Sequence, residues 1–394
     1  MSRLAGRLAA GLADLQSRDL ARVRRVIDSP QGPRVRERGR TLANFSSNDY
    51  LGLANHPRLR EAAHRAIDEY GVGAGASPMV SGHLAAHHAA ELRFAEFSAM
   101  PRALLFGSGY AANLGILAAL GGRDAEIFSD DLNHACLIDG ARLSRAQVTR
   151  FGHGDLDGLA RQLRASRAQV RVVATDAVFS MDGDIAPVPG LLALCEEHDA
   201  WLVLDDAHGV GVLGSTGRGT LEHFAVASPR IVYMATLGKA LGGYGAFVAG
   251  AAPMIEWLVQ RSRTYIYSTA LPPMAAAVAV AALDLVDGEP ELVARLRSRV
   301  SEFTAACAAS GVTLAPSITA IQPIVVGGTR DALAAAARLH ERGFLVPAIR
   351  PPTVPEGTSR LRVSLSAAHT RADVESLAAA LAECLAPGRS MLSR

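Results

Sequence analysis

A lysine stands between a predicted buried strand and a glycine-rich turn in the segment 231-IVYMATLGKALGGYGAFVAG-250. Lysine side chains are seldom found away from water, so the position of Lys239 needs an explanation. One interpretation is an ordinary loop lysine. The other is a reactive amine, because burial and a neighbouring positive charge lower the pKa of a lysine and make it a nucleophile and a base.

Three further turns with polar residues follow predicted strands. The stretch 107-GSGYAAN-113 is a glycine turn that runs into a helix; its N–H groups suit a phosphate, although a tight turn without a ligand has the same pattern. Ser180 lies in the second turn, 178-VFSMDGD-184. The third, 205-DDAHGVG-211, opens with two carboxylates that need partners if they are buried. We expect one aspartate to cap the following loop and the other to serve a site.

Together these residues are the set that pyridoxal phosphate requires. A lysine forms the Schiff base with this cofactor, and a strand-end aspartate keeps the pyridine nitrogen protonated so that the ring accepts electrons. Ligands of open α/β sheets bind beyond the carboxyl ends of the strands, where these turns are expected to meet. The interpretation of Lys239 as an ordinary loop residue leaves the other residues unexplained.

Two other patterns match the motifs of different kinds of site, but each match is incomplete. The segment 209-GVGVLG-214 matches the dinucleotide motif G-x-G-x-x-G, but a polar loop follows it and the acidic residue expected about 20 positions later is missing. His83, His87 and His88 include a pair spaced i, i+4, but 83-HLAAH-87 lacks the glutamate of H-E-x-x-H. We expect surface or core histidines there and no metal.

The elements that must position these residues alternate between strands and helices. Predicted buried strands lie at 103–106, 171–176, 201–206, 231–236 and 245–250, with helical patterns at 111–120 and 189–199. This alternation is typical of an α/β domain with a mostly parallel sheet. Beyond about residue 272 the pattern changes to long helices at 274–286 and 290–310, followed by strands at 321–327 and 360–366 around a helix at 330–342. We predict an N-terminal helical arm over 1–45, a large cofactor-binding domain over 46–285 and a small α+β domain over 286–394.

Composition excludes several classes of protein. The 394 residues carry 40 basic and 38 acidic side chains, a balance that gives no reason to expect nucleic acid or an anionic membrane as a partner. No sufficiently long uncharged stretch predicts a membrane span. The N-terminus lacks a signal-peptide pattern, and its acidic residues disfavour a transit peptide. The scattered cysteines Cys136, Cys195, Cys307 and Cys384 fit a reducing cytoplasm.

At this point the chain resembles the α-oxoamine synthases, a family of fold-type I pyridoxal-phosphate enzymes. The motifs that carry the resemblance are 46-SSNDYLGL-53, 77-SPMVSGH-83, 107-GSGYAAN-113, 133-NHACLIDG-140, 178-VFSMDGD-184, 205-DDAHGVG-211, 236-TLGKALG-242 and 267-YSTALPP-273. The resemblance implies a large domain with a mostly parallel seven-stranded sheet and a small C-terminal α+β domain.

The resemblance also implies roles for individual residues. Lys239 would form the Schiff base, Asp205 would pair with the pyridine nitrogen and His134 would stack on the ring. Further cofactor contacts would come from Ser180 and His208 at the phenolic oxygen, from Gly109, Tyr110 and Thr236 around the phosphate, and from Thr269 of a neighbouring subunit. The last of these implies a homodimer with shared active sites.

The segment 348-AIRPPTVPEGTSRLRVSLSAAHT-370 resembles one branch of the family, which condenses L-alanine with a pimeloyl thioester in biotin synthesis and releases CO₂ with coenzyme A or an acyl-carrier protein. By this resemblance Arg362 would bind the amino-acid carboxylate, Thr353 would lie against substrate and Arg22 would meet the acyl substrate, while His134 would polarise the thioester carbonyl or hydrogen-bond the alanine carboxylate. A glycine- or serine-using relative, such as a glycine C-acetyltransferase, is one alternative. A non-catalytic scaffold subunit is another, which the presence of Lys239 disfavours.

Overall fold

A computed structural model describes residues 2–385 of the chain. The described residues form two compact units. The larger unit is drawn from Asn48–Ser180 and Asp184–Arg297, and the smaller unit from residues 2–47, Met181–Gly183 and residues 298–385. Among the described residues, no helix combines the length and the apolar character that a membrane crossing requires.

A seven-stranded sheet is the centre of the larger unit. In order across the sheet, its strands are β3 (Arg102–Phe106), β9 (Ala246–Gly250), β8 (Ile231–Thr236), β7 (Ala200–Asp205), β6 (Val170–Asp176), β4 (Ala125–Asp130) and β5 (Gln147–Phe151). β9 runs antiparallel to both of its neighbours, and the other pairs are parallel. The central strands are apolar and buried, as expected for a sheet covered on both faces. This is a mostly parallel seven-stranded sheet, as the sequence resemblance implied.

Helices connect the strands of the larger unit. They are α2 (Pro57–Tyr70), α3 (Ala85–Phe97), α4 (Gly109–Leu120), α5 (Ala135–Leu143), α6 (Leu156–Ala165), α7 (Val188–Glu197), α8 (Thr220–Phe224), α9 (Ala252–Arg261), α10 (Arg263–Ile266) and α11 (Pro273–Gly288), with a π-helical turn over Pro78–Gly82. Side chains of Ser108, His134 and Asp155 accept backbone N–H groups at the starts of α4, α5 and α6. These caps fix where each helix begins relative to the strand before it.

The smaller unit contains two three-stranded sheets. The strand order of the first sheet is β1 (Arg34–Glu37), β2 (Arg40–Asn44), β11 (Phe344–Leu345). The strand order of the second sheet is β10 (Ile321–Gly327), β13 (Ser359–Ser364), β12 (Ala348–Ile349). Its helices are α1 (Arg3–Ser17), α13 (Thr329–Glu341), α14 (Arg371–Leu385) and the part of α12 (Glu291–Ala309) that follows Ser298. Val35, Leu42 and Leu345 form a small apolar core beneath the first sheet, whereas α1 buries none of its residues.

Each strand and helix predicted above from an apolar pattern is present. β4 and β5 are the two strands of the large sheet that the pattern missed. Both carry polar side chains, and most of β5 faces water. Buried Glu126 in β4 accepts hydrogen bonds from Gln147 and Ser166, so its carboxylate is satisfied inside the protein.

Candidate active site

Lys239 lies in the turn that follows β8, and it is the only lysine of the chain. Its Nζ lies 2.6 Å from Nε2 of His208. The other ring nitrogen of His208, Nδ1, lies 2.7 Å from the hydroxyl of Tyr50, which donates to Oδ1 of Asn48 at 3.1 Å. A ring proton on Nδ1 gives each of these contacts a donor and an acceptor, so we assign that tautomer. Proton exchange between the amine and Nε2 then requires no movement of either side chain.

Asp205 is the last residue of β7, and 4% of it is exposed. Oδ1 accepts the backbone N–H of Ala207 at 2.9 Å, and Oδ2 accepts Nδ2 of Asn113 at 2.6 Å. Asn113 projects from α4 and is itself fully buried. The carboxylate is therefore fixed in orientation from two elements, which is the condition for aiming it at a ring nitrogen.

Asp206, the second carboxylate of the pair, is hydrogen-bonded to a different set of partners. It accepts the backbone N–H of Thr220 at 2.7 Å and the hydroxyl of Tyr233 at 2.6 Å. Burial raises the pKa of Asp206 to about 6 despite these bonds. Asp206 thus ties the loop after β7 to α8 and β8, and the expectation that one aspartate of the pair caps the following loop is met by this residue.

His134 is the N-cap residue of α5, and its Nδ1 accepts the N–H of Cys136 at 3.3 Å. Its own backbone N–H donates to Oδ2 of Asp176 at 2.6 Å, which fixes the helix start to the end of β6. Burial lowers the pKa of His134; the charge of Asp205 opposes this and that of Lys239 adds to it. The imidazole is accordingly neutral near pH 7 and close enough to both groups to respond to their charges.

The start of α4 offers backbone donors on the same side of the sheet. Ser108 satisfies the N–H of Ala111 at 3.1 Å, while the structure assigns no hydrogen bond within residues 2–385 to the N–H groups of Gly109 and Tyr110. Free N–H groups at a helix start suit an anion such as phosphate. Thr236, at the end of β8, donates its hydroxyl to the carbonyl of Gly245 at 3.0 Å.

Register explains why these residues meet. Asp176 pairs with Asp205, and Asp205 with Met234, so β6, β7 and β8 end side by side. An amine, an oriented carboxylate, a neutral imidazole and free N–H groups collect at that edge. This donor set fits pyridoxal phosphate, whose aldehyde, ring nitrogen and phosphate need these partners.

Two expected cofactor contacts lie in loops of the larger unit. Ser180 lies in the turn that follows β6. A hydrogen bond from the N–H of Phe179 to the carbonyl of Asp184, at 3.0 Å, holds this turn together. Thr269 is exposed in the segment between α10 and α11. The roles of Ser180 and Thr269 toward the cofactor remain predictions.

The expected substrate residues all belong to the smaller unit. Arg362 lies on β13 with 5% exposure and donates to Oγ of Ser364 at 2.9 Å, which rules out a surface-strand arginine. Thr353 is exposed in the segment before β13, and Arg22 is exposed after α1. Arg350 joins these two segments by donating to the carbonyl of Ala21 at 2.6 Å.

Neither rival motif has the arrangement that its pattern requires. Residues 209–214 form turns, and the next helix, α8, begins only at Thr220, so no phosphate-binding helix opens from the motif. His87 is a core histidine: Nδ1 accepts the N–H of Leu84 at 3.0 Å and Nε2 lies 2.6 Å from the carbonyl of Leu271.

Residue patterns alone missed Tyr50, Asn113 and Asp176. Tyr50 and Asn113 lie inside the quoted motifs 46–53 and 107–113, but nothing in their spacing assigns them partners 158 and 92 positions away. Asp176 ends a strand just as Asp205 does, and this signal could have identified it.

Comparisons with known proteins agree with this geometry. The profile of the aminotransferase class I and II family matches residues 40–381. The 8-amino-7-oxononanoate synthase of Methylococcus capsulatus is 54% identical over 378 residues, which cover 96% of this chain and 98% of that protein. A serine palmitoyltransferase from S. paucimobilis, solved with bound PLP and myriocin, has a TM-score of 0.91 at 27% identity and 98% coverage of both chains. The 8-amino-7-oxononanoate synthase of Francisella tularensis has a TM-score of 0.75 at 30% identity, covering 87% of this chain and 97% of that one.

Proposed function

We propose that this chain condenses L-alanine with a pimeloyl thioester, from the premise that it belongs to the class I and II aminotransferase family. Within that family it belongs to the 8-amino-7-oxononanoate synthases. The products are 8-amino-7-oxononanoate, CO₂ and the free thiol carrier, a step of biotin synthesis. The chain is a pyridoxal-phosphate-dependent acyltransferase. Lys239, held on His208 beside an oriented Asp205, is the observation that carries the proposal.

Bound pyridoxal phosphate supplies an electron-accepting ring that stabilises the charge left when a proton leaves the amino-acid Cα. In our proposal Lys239 holds the cofactor and moves that proton. Nε2 of His208 accepts from the free amine, and this contact would hold Nζ in place while the amine is not joined to the cofactor. Asp205, fixed by Asn113, holds a proton on the ring nitrogen.

The other residues bind and orient. The N–H groups of Gly109 and Tyr110, with Thr236, hold the phosphate, and Ser180 with His208 holds the phenolic oxygen. His134 covers the ring; as a neutral imidazole it donates one hydrogen bond, either to the thioester carbonyl or to the alanine carboxylate. These assignments rest on the motifs and on the contacts that join these elements at the ends of β6, β7 and β8.

For the substrate we propose that Arg362 binds the alanine carboxylate through its two-pronged guanidinium. Its burial on β13 supports this, because a buried arginine is retained only with partners. Arg22 and Thr353 are proposed to meet the acyl substrate. Both lie on exposed segments that Arg350 joins, so one acyl group could contact both.

We further propose that the enzyme works as a homodimer in the cytoplasm, with Thr269 of one subunit reaching the phosphate held by the other. All four cysteines are buried and unpaired in the structure, which supports a reducing compartment.

Substitution of Lys239 tests the proposal. Lys239→Ala and Lys239→Arg should both fold, lose the visible absorbance of cofactor joined to protein and lose turnover, since arginine keeps the charge but cannot form the bond. A yellow, active Lys239→Ala protein would contradict the assignment.

A substrate panel tests the specificity. CO₂ and thiol release are measured with alanine, glycine and serine against pimeloyl-CoA, pimeloyl-acyl-carrier protein and acetyl-CoA. Alanine with a pimeloyl donor should give the highest kcat/KM, and the better of the two pimeloyl donors identifies the carrier. Preference for glycine with acetyl-CoA would move the function to a glycine C-acetyltransferase.

A further inference from the structure

A histidine–carboxylate cluster lies in the larger unit outside the residues assigned to catalysis. Ligand atoms of His83, His88 and Glu91 all lie within 4.8 Å of one another. His83 comes just after the π-helical turn, and the other two lie on α3. The sequence pattern drew attention to His83 and His87, but the fold gives His87 core partners and groups His83 with His88 and Glu91 instead.

Glu91 is the residue that makes the cluster unusual. Its side chain is only 13% exposed, and Oε1 accepts the N–H of Leu105 at 3.1 Å, on the edge strand β3. Oε2 is left facing Nε2 of His83 at 3.8 Å, too far for a hydrogen bond.

The two histidines are suited to donate lone pairs. An imidazole donates a lone pair to a metal from whichever ring nitrogen carries no proton. The ring of His88 stands edge-on to that of His83 with centroids 5.9 Å apart. Arg102, the cation whose charge reaches Glu91, is paired with Glu256 at 3.1 Å.

We propose that His83, His88 and Glu91 bind a divalent transition metal, with zinc as the best match. Two imidazoles and one carboxylate are a zinc ligand set, and exposure of the histidines leaves a fourth position for water. Zinc bonds of about 2 Å place tetrahedral ligand atoms about 3.4 Å apart, so the ligands must close by about 1 Å. Small side-chain rotations achieve this, because Nε2 of His83 and Oε2 of Glu91 already lie 3.8 Å apart.

The bound ion would have a structural role rather than a catalytic one. Glu91 is already bonded to β3, so the metal would tie the end of the π-helical turn to α3 and to the sheet edge. Such a site stabilises the folded state by an amount that grows with the logarithm of the zinc concentration once this exceeds the dissociation constant. The expected readouts are binding and thermal stability.

Zinc titration of tag-free holoenzyme tests the site. Calorimetry should give one Zn²⁺ per chain, with the affinity lowered by about tenfold or more in His83→Ala, His88→Ala and Glu91→Gln. Glu91→Gln retains the acceptor for the Leu105 N–H, so it separates metal binding from folding. His64→Ala removes an exposed histidine of α2 and should bind zinc like the wild type.

Thermal unfolding gives the second readout. Added Zn²⁺ should raise the Tm of the wild type and of His64→Ala, and at the same zinc concentration it should raise that of Glu91→Gln by clearly less. The proposal is overturned if the wild type binds no zinc, or if His83→Ala/His88→Ala binds it with wild-type stoichiometry and affinity.

Discussion

At the scale of single residues, Asn113 is the clearest supporting side chain. It is fully buried and its amide holds Oδ2 of Asp205 at 2.6 Å. We expect Asn113→Ala to lower kcat by about tenfold and to weaken cofactor binding, because Oδ2 of the carboxylate loses its amide donor. Cys136→Ala is the matched control, since the thiol lies 3.9 Å from the same oxygen. Equal cofactor affinity in wild type and Asn113→Ala would contradict the positioning role.

His153 makes a pH-dependent contribution to stability. Its Nδ1 lies 3.1 Å from Oδ1 of Asp130 and its Nε2 lies 2.8 Å from Oδ2 of Asp184. Hydrogen bonds to Asp130 and then Asp184 raise the pKa of His153 from 6.5 to about 10. The folded state therefore holds the proton more tightly than the unfolded state, and this stabilisation is full below about pH 6.5 and lost as the pH rises to about 10.

We expect His153→Gln to reduce the free energy of unfolding by about 1–3 kcal/mol at about pH 6, allowing for solvent screening of a partly exposed pair, and by much less near pH 10. Urea unfolding at the two pH values measures the difference. His64→Gln should show no such trend. A His153→Gln deficit that grows with pH would reverse the inferred sign.

The sequence predicted one part of the site and not another. Lys239, Asp205 and His208 are visible because rare polar residues follow apolar strands in recognisable motifs. The bonds of Tyr50 to His208 and of Asn113 to Asp205 depend on the packing of distant segments, and no spacing rule encodes that. Local chemistry was therefore predictable, and its support by distant side chains was not.

At the scale of elements, the placement of α4 depends on Gly115. A Cβ there would clash with Oγ of Ser262 and lie 2.6 Å from Oγ1 of Thr264. Neither hydroxyl can withdraw freely, since Ser262 is fully buried and Thr264 donates to the carbonyl of Ala111 at 2.6 Å. The contact thus connects the middle of α4 to its first turn, where Gly109 lies.

Gly115→Ala should accordingly cost about 1–3 kcal/mol and weaken cofactor binding together with stability. Gly11→Ala is a contrasting variant of opposite sign: no atom lies within 4 Å of its added methyl group, and alanine in a helix interior gains about 0.5–1 kcal/mol over glycine. Thermal unfolding with and without added cofactor measures both. A Gly115→Ala protein as stable as the wild type would show that Ser262 and Thr264 can move to accommodate the added methyl group.

Strands were predictable where burial on both faces makes them apolar, as in β6, β7 and β8. The apolar pattern did not predict β4 and β5, because both strands carry polar side chains. The carboxylate of Glu126 and the hydroxyl of Thr149 satisfy each other inside the sheet. Polar strands of this kind look like loops until their partners are known.

At the scale of the whole molecule, a shared active site predicts complementation between inactive variants. If Thr269 serves the neighbouring subunit, a mixed dimer of Lys239→Ala and Thr269→Val chains has one site with both defects and one intact site. Mixing the two variants should then restore about a quarter of the wild-type activity, since half of randomly formed dimers are mixed. Separately assayed homodimers are the controls, and no recovery on mixing would place Thr269 in its own subunit's site or in none.

The presence of a single lysine has a practical consequence for the whole chain. Thirty-nine of its 40 basic residues are arginines, so Lys239 carries the chain's only side-chain ammonium group. Lysine labelled with ¹⁵N at the ε-position would give one resonance, and that resonance would follow the protonation of Nζ beside His208 during titration. Amine-directed cross-linkers and immobilisation resins would find no other side-chain amine, so at Lys239 they would compete with the cofactor for its attachment point.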